Sequence, residues 1–253
     1  MTYCLAIAVD SGLVLASDSR TNAGVDNVNT YPKMFSFSVP DKGFFTLLTS
    51  GNLATTQAVV HQIEQDLKHD LDLAEGEKPV GSFAVCKDMN EAAKYLGTLA
   101  VKLKNYYERD LNQAANFDCT FILGGQIIGE PCQIFMVYPE GNFIQNSPYS
   151  PFLQIGETKY GKPILDRVIK RNTSLEAAAR CALVSLDSTM RSNLSVAPPF
   201  DLMIYEKDKL EPAHVMHYKQ NSPYYSSMRK RWGEGLMELF NDLPLFDWEK
   251  NDK

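Results

Sequence analysis

The stretch TYCLAIAVDSGLVLASDSR, running from Thr2 to Arg20, decides how this chain is read. Two apolar runs, at residues 2–9 and 13–17, flank Asp10-Ser11-Gly12, a combination that suits a hairpin-type turn. In the first run both alternating sets are apolar: Tyr3, Leu5, Ile7 and Val9 on one face, Cys4, Ala6 and Ala8 on the other. A strand without a polar face belongs to a sheet that is covered above and below. Working outward, two more strands are expected at 33–38 and 43–49, on either side of Pro40-Asp41-Lys42.

The period then lengthens. Val60, Ile63, Leu67 and Leu71 recur at helical spacing, as do Ala92, Tyr95, Leu96, Leu99, Leu103 and Tyr106, which predicts helices over 53–72 and 90–112. Strands return at 119–128, 133–138 and 143–145, with the turn Pro139-Glu140-Gly141-Asn142 before the last of these. Helices are expected at 158–171 and 174–192, and a final strand pair at 201–206 and 213–218. Two sheets packed face to face between helical layers accommodate the order strands, two helices, strands, two helices, strands, since each sheet hides its outer face under a helix pair. The expected fold is therefore an α+β four-layer αββα sandwich, one domain over 1–220. Residues 221–253, with Trp232, Phe240 and Trp248, show no clear period and read as an extension packed on the domain or on a neighbouring subunit.

Composition narrows the class. Of 253 residues, 44% are hydrophobic and 22% charged, enough to bury a full core. A net charge of −6 gives no electrostatic reason to expect nucleic acid. No apolar run reaches the roughly 18–20 residues of a membrane span, and the start MTYCLAIAVDSG lacks the basic flank and cleavage site of a secretory signal. Cys4, Cys86, Cys119, Cys132 and Cys181 are odd in number and lack a C-x-x-C pair, so they read as free thiols of a cytoplasmic protein. His61, His69, His214 and His217 form no metal set. Gly124-Gly125 lacks the Gly-Lys-Ser/Thr of a phosphate loop. No cofactor is expected. Arg229-Lys230-Arg231-Trp232 reads as a solvated basic run or as a dock for an acidic neighbour.

Three features can carry chemistry. Thr2 follows the initiator methionine, and its small side chain lets an aminopeptidase expose it. The residue then holds a hydroxyl beside an α-amine of pKa about 7.7–8.0, so one residue supplies nucleophile and base. A threonine at this position alone is also compatible with no role. The second feature is Ser17-Asp18-Ser19-Arg20 at a strand end, followed by Lys33 at the start of another. A lysine held near the Thr2 hydroxyl would favour its alkoxide and depress the amine pKa. Alternatively the three charges form a surface cluster. Third, Thr49-Ser50-Gly51-Asn52 lies at a strand-to-helix junction, where backbone N–H groups suit an oxyanion or simply make a turn.

Together, the second-position threonine, SDSRTNAG, a strand-opening lysine and TSG before a helix resemble the catalytic β-subunits of proteasomes, and most closely the bacterial Anbu (ancestral β-subunit) group. The likeness runs from residue 2 to about 220 and lacks the leading helix of α-type subunits. The resemblance implies an N-terminal-nucleophile hydrolase in which Thr2 attacks, Asp18 and Lys33 are its charged partners, and the Gly51 N–H lines the oxyanion hole. It further implies that Thr21 and Asn22 offer backbone groups to an extended peptide, with Arg20 beside them supporting the loop. Copies of the chain would form a ring or spiral around a peptide or protein substrate, with an unfoldase or adaptor unidentified.

Two positions depart from the family pattern. Gly156-Glu157-Thr158 stands where a Gly-Ser-Gly serine is expected, and the supporting aspartate aligns with Asn193, with Ser195 and Val196 following. Glu157 is expected either to orient the Thr2 amine or to lie on the surface and cap a helix starting near Thr158. A threonine-type peptidase is the favoured reading. An amidohydrolase or acyl-transfer enzyme on a particular peptide or isopeptide is the second, and a non-catalytic assembly subunit the third.

Overall fold

The computed structural model describes residues 2–22, 28–73, 77–110 and 116–249. In chain order the elements are β1 (Tyr3–Val9), β2 (Gly12–Asp18), β3 (Arg20–Asn22), β4 (Val28–Thr30), β5 (Met34–Val39), β6 (Gly43–Gly51), α1 (Leu53–Leu71) and α2 (Met89–Asp110). They continue with β7 (Cys119–Ile127), β8 (Gln133–Val137), β9 (Phe143–Gln145), β10 (Phe152–Gly156), α3 (Lys162–Val168), α4 (Leu175–Ser192), β11 (Phe200–Glu206), β12 (His214–Tyr218) and α5 (Pro223–Asn241). One five-stranded antiparallel sheet has the order β10-β1-β2-β11-β12 and the other β5-β6-β7-β8-β9. The first hairpin closes at Val9↔Gly12, where Gly12 has φ +149° and a Cβ would sit 2.0 Å from the Tyr205 carbonyl oxygen. Only glycine fits that approach.

Three apolar clusters fill the three gaps of a four-layer sandwich. Tyr3, Leu5, Ile7 and Val14 pack outward against Leu175, Ala178, Ala182 and Leu186 of α4. Their sequence neighbours Cys4, Ala6, Leu13 and Leu15 point the other way, meeting Phe44, Leu48, Ile122 and Ile134 of the facing sheet. Phe45, Leu47, Phe121 and Leu123 then carry the second sheet against Val59 and Ile63 of α1 and Leu96 of α2. The period-2 alternation of β1 thus serves two interfaces at once, and each fully buried Leu, Ile or Phe contributes about 1.5–3 kcal/mol. Gly124 and Gly125 lie inside β7.

The expected fold class holds, and three local readings change. The helix expected over 158–171 is only α3, Lys162–Val168, because the chain at 157 is still laid against the sheet: the Glu157 N–H donates to the Thr2 carbonyl at 2.7 Å. The strand before it, β10, escaped the pattern analysis, being short and closed by a glycine, yet it pairs with β1 from Ile7↔Phe152 to Tyr3↔Gly156. The region after 221, expected to lack a period, winds into α5 behind Pro223. Tyr225, Met228, Trp232, Leu236 and Leu239 recur there at helical spacing, a period the pattern analysis overlooked, although only Tyr225 is fully buried. The Tyr225 hydroxyl donates to buried Asp187 at 3.1 Å, and Arg229 pairs with the same carboxylate at 2.5 Å.

Candidate active site

Hairpin geometry determines where Thr2 lies. It directly precedes β1, and the next residue, Tyr3, donates its N–H to Asp18 Oδ1 at 2.9 Å across the sheet end. Lys33, just before β5, donates from Nζ to the same Asp18 oxygen at 2.8 Å and to the Arg20 carbonyl at 2.6 Å. Its own carbonyl accepts the Thr49 N–H at 2.9 Å, which ties the lysine to the TSG strand. Asp18 is 0% and Lys33 5% exposed, so these two charges are not a surface cluster. Burial pushes the Asp18 carboxyl above its ordinary range, and the Lys33 ammonium, with the Tyr3 and Ala197 N–H groups, works in the opposite direction. Removing either charge would leave the other buried without its counter-ion, a situation far costlier than the pair itself.

The other predicted residues converge on the same end of the sandwich. Gly156 has φ +82°, and a Cβ there would lie 1.9 Å from the Thr2 carbonyl oxygen and 3.4 Å from Ser50 Oγ. The Thr2, TSG and Gly156 segments therefore pack on one another, and only a glycine permits that approach. Gly51, with φ +108°, ends β6 against the Asp118 carbonyl, immediately before Asn52 caps α1 by accepting the Thr55 N–H at 3.1 Å. Asn193 Nδ2 donates to Glu157 Oε2 at 3.0 Å, and the Ser195 N–H donates to Asn193 Oδ1 at 2.9 Å. Both Glu157 and Asn193 are buried, and α3 begins only at Lys162, so Glu157 is not a surface helix cap. Arg20 donates from its guanidinium to the Leu194 carbonyl at 2.8 Å, holding the Asn193 loop beside β3. Thr21 and Asn22 lie on β3, paired with Asn29 and Val28, and the Thr21 hydroxyl is buried without a hydrogen-bond partner among the described residues.

Pattern reading missed the anchor beneath Thr2. The Tyr3 hydroxyl shares a 2.7 Å hydrogen bond with Ser185 of α4 and accepts one from Gln154 of β10, while Ser185 donates to the Gly161 carbonyl at 3.1 Å. Burial pushes the Tyr3 hydroxyl well above the ordinary phenol range, so it stays a neutral strut. A serine inside the apolar stripe of α4 was the available signal. Among the described residues, no group of three or more His, Cys, Asp or Glu side chains is placed to hold a metal. Nor is any described helix long and apolar enough to cross a membrane. The five cysteines are all free thiols.

Comparison with solved structures places this geometry. Anbu (ancestral β-subunit) from Yersinia bercovieri superimposes with a TM-score of 0.87 at 42% sequence identity, covering 97% of this chain and 100% of that one. The chain belongs to the Anbu family. Anbu of Pseudomonas aeruginosa, solved as the helical assembly of the Anbu complex, is 40% identical with a TM-score of 0.87, over 99% of this chain and 100% of that chain. A Gly-1 mutant of Anbu from Hyphomicrobium sp. strain MC1 is 39% identical, again with a TM-score of 0.87. It covers 98% of this chain and 100% of the mutant. No family model and no curated protein matches the chain in sequence. The sandwich is accordingly the proteasome β-subunit-like fold of Anbu, and the Thr2 end of its sheets is the candidate active site.

Proposed function

We propose that this Anbu protein is an N-terminal-nucleophile hydrolase, a threonine-type peptidase whose nucleophile is Thr2 once Met1 is removed. One observation carries the reading: a single Asp18 oxygen receives both the Lys33 ammonium and the N–H of the residue after Thr2, so a buried cation is held beside the nucleophile's strand. In the proposed reaction the Thr2 hydroxyl gives its proton to the Thr2 α-amine as its oxygen bonds to the scissile carbonyl carbon. Lys33 favours the alkoxide, and the Gly51 N–H faces the developing oxyanion. Collapse of the tetrahedral intermediate breaks the C–N bond, and the protonated amine gives its proton to the departing amine. Water, deprotonated by the same α-amine, then hydrolyses the acyl-ester and regenerates Thr2. Thr21 and Asn22 would pair with the extended peptide as an added strand, with Arg20 bracing that loop.

We further propose that copies of the chain self-assemble and enclose these sites, as the helical complex of the Pseudomonas aeruginosa relative suggests. A second reading has an observation in its favour. The buried Glu157–Asn193 pair puts a carboxylate where the family pattern has a serine, and a carboxylate near the Thr2 ammonium disfavours its free-base form. That would suit an amidohydrolase or acyl-transfer enzyme tuned to one peptide or isopeptide. N-terminal mass analysis of protein from its own host, combined with an electrophilic hydroxyl-directed probe and a fluorogenic peptide panel, separates the readings. Broad cleavage with labelled Thr2 is expected. Labelling without cleavage favours the specific enzyme, and a retained Met1 with undiminished turnover overturns the mechanism.

A further inference from the structure

We propose that Tyr3 is a positioning residue for the nucleophile, its hydroxyl fixing Thr2 in register with Lys33 through a directed chain of hydrogen bonds to α4. The proposal rests on the Thr2 reading above and names what holds that residue still. The last member of the chain sets its polarity. Ser185 spends its only proton on the Gly161 carbonyl at 3.1 Å, so across their 2.7 Å contact it accepts from Tyr3. The Tyr3 oxygen in turn accepts from Gln154 Nε2 at 2.5 Å. The order is Gln154, Tyr3, Ser185, Gly161 carbonyl, and each hydroxyl donates once and accepts once.

What this chain encloses gives it a role. Gln154 and Gly161 bracket the segment that grips Thr2: Gly156 lies against the Thr2 carbonyl, and the Glu157 N–H donates to it at 2.7 Å. Helix α4 reaches that segment twice, through Ser185 and, about two turns later, through its cap Asn193, which bonds Glu157 at 3.0 Å. The turn at Gly161 is packed tightly on the junction. A Cβ there would lie 2.2 Å from Ser185 Oγ and 2.5 Å from the Tyr3 hydroxyl, so the turn closes on the pair with no room for a side chain.

Tyr3 is tied at both ends. Its N–H, part of the peptide bond that follows Thr2, goes to the Asp18 oxygen that also receives Lys33, and its hydroxyl goes to α4. The ring between them is completely buried. With both ends held, the two side-chain torsions are fixed, and with them the placing of the adjoining Thr2. A reacting atom displaced by about 1 Å can cost about a hundred-fold in rate, so this constraint bears directly on the chemistry.

The test follows acylation of Thr2 by a β-lactone in the full chain with Met1 removed, resolving the maximal labelling rate from the half-saturating concentration. Tyr3→Phe and Ser185→Ala should each lower the maximal rate about tenfold or more and leave the half-saturating concentration within about twofold. The acidic limb of the pH–rate profile should stay in place, since no charge changes. The double variant should label no more slowly than the slower single one, because both changes break one chain. Circular dichroism verifies folding, and Ser185→Ala carries the test if Tyr3→Phe does not fold. Gln126→Met, which opens the buried contacts of Gln126 with Tyr205 and Asp208, is the control and should label like wild type. Wild-type maximal rates in the folded variants, or losses that Gln126→Met reproduces, overturn the positioning role and leave the Thr2 reading intact. A wild-type protein that the β-lactone does not label on Thr2 overturns both.

Discussion

At one end of the paired sheets a neutral side chain, Gln126, is buried; at the other, two charged ones, Asp18 and Lys33, are. Gln126 uses every hydrogen-bonding position it has. Its amide nitrogen donates to the Glu130 carbonyl and to Asp208 Oδ1, and its oxygen accepts from the Tyr205 hydroxyl and the Asp208 N–H, both at 2.8 Å. The cluster is closed, and it joins β7 of one sheet to the end of β11 in the other. The Asp18–Lys33 end is charged, and Ser17 Oγ and Thr21 Oγ1 are buried there without a hydrogen-bond partner among the described residues. A closed polar network rigidifies the fold around it, whereas a buried charge pair depends on each partner keeping the other.

The comparison can be broken most severely at Thr2. Thr2→Ala should reduce probe labelling and turnover at least about a thousand-fold while changing stability by less than about 0.5 kcal/mol, measured by kinetics and denaturant unfolding. Lys33→Met should abolish activity and also cost about 3–5 kcal/mol, since it strands Asp18. The Asp18 pKa is already raised on folding and loses its opposing cation in this variant. Its stabilising share is then present at low pH and lost as pH rises through that raised value, so the variant should be weakest near neutrality and recover in acid. Gln126→Met is the counterpart: about 1–3 kcal/mol of stability lost with kcat/KM unchanged. Equal catalytic damage from Gln126 and Lys33 would erase the distinction drawn between the two ends.

Smaller effects sharpen it. Glu157→Gln should move the acidic limb of the pH–rate profile down by about one unit, worth about 1.4 kcal/mol in the amine's protonation. A superimposable profile would remove Glu157 from the chemistry and leave it holding Asn193. Cys132, on the Gln126 side, has its thiol pushed up to about 11 by burial. Iodoacetamide should therefore label it slowly at pH 9 in the native protein, and the stability associated with the neutral thiol, intact below pH 9, should fade as pH approaches 11. Fast labelling at pH 9 without unfolding would show that this end opens locally.

Much of the site was legible because its parts are local. Thr2, the Asp18 strand end and the TSG junction are short strings with their own chemistry, and a family resemblance joined them. Glu157 and Asn193 were legible only as departures from a pattern. That they touch, at 3.0 Å across 36 positions of sequence, depends on β10, which short length and a terminal glycine hid. The helix α5 escaped for a different reason: Tyr225, Met228, Trp232, Leu236 and Leu239 do keep a helical period, but Phe240, Leu243 and Leu245 follow as exposed apolar residues and blur where it ends.

By itself the sequence determined the layering of the molecule, since a strand apolar on both faces must be covered twice and the alternation between periods of two and 3.6 orders the layers. It also placed a threonine, Thr2, directly before the first strand. Tertiary structure alone decided that Lys33 meets Asp18 inside the protein rather than in solvent, that Glu157 spends its carboxylate on Asn193, and that the chain's last apolar residues are left facing outward. The reason is physical: periodicity records how much of each side chain is buried, while the partner it meets is chosen by strand register and by the packing of one sheet on another.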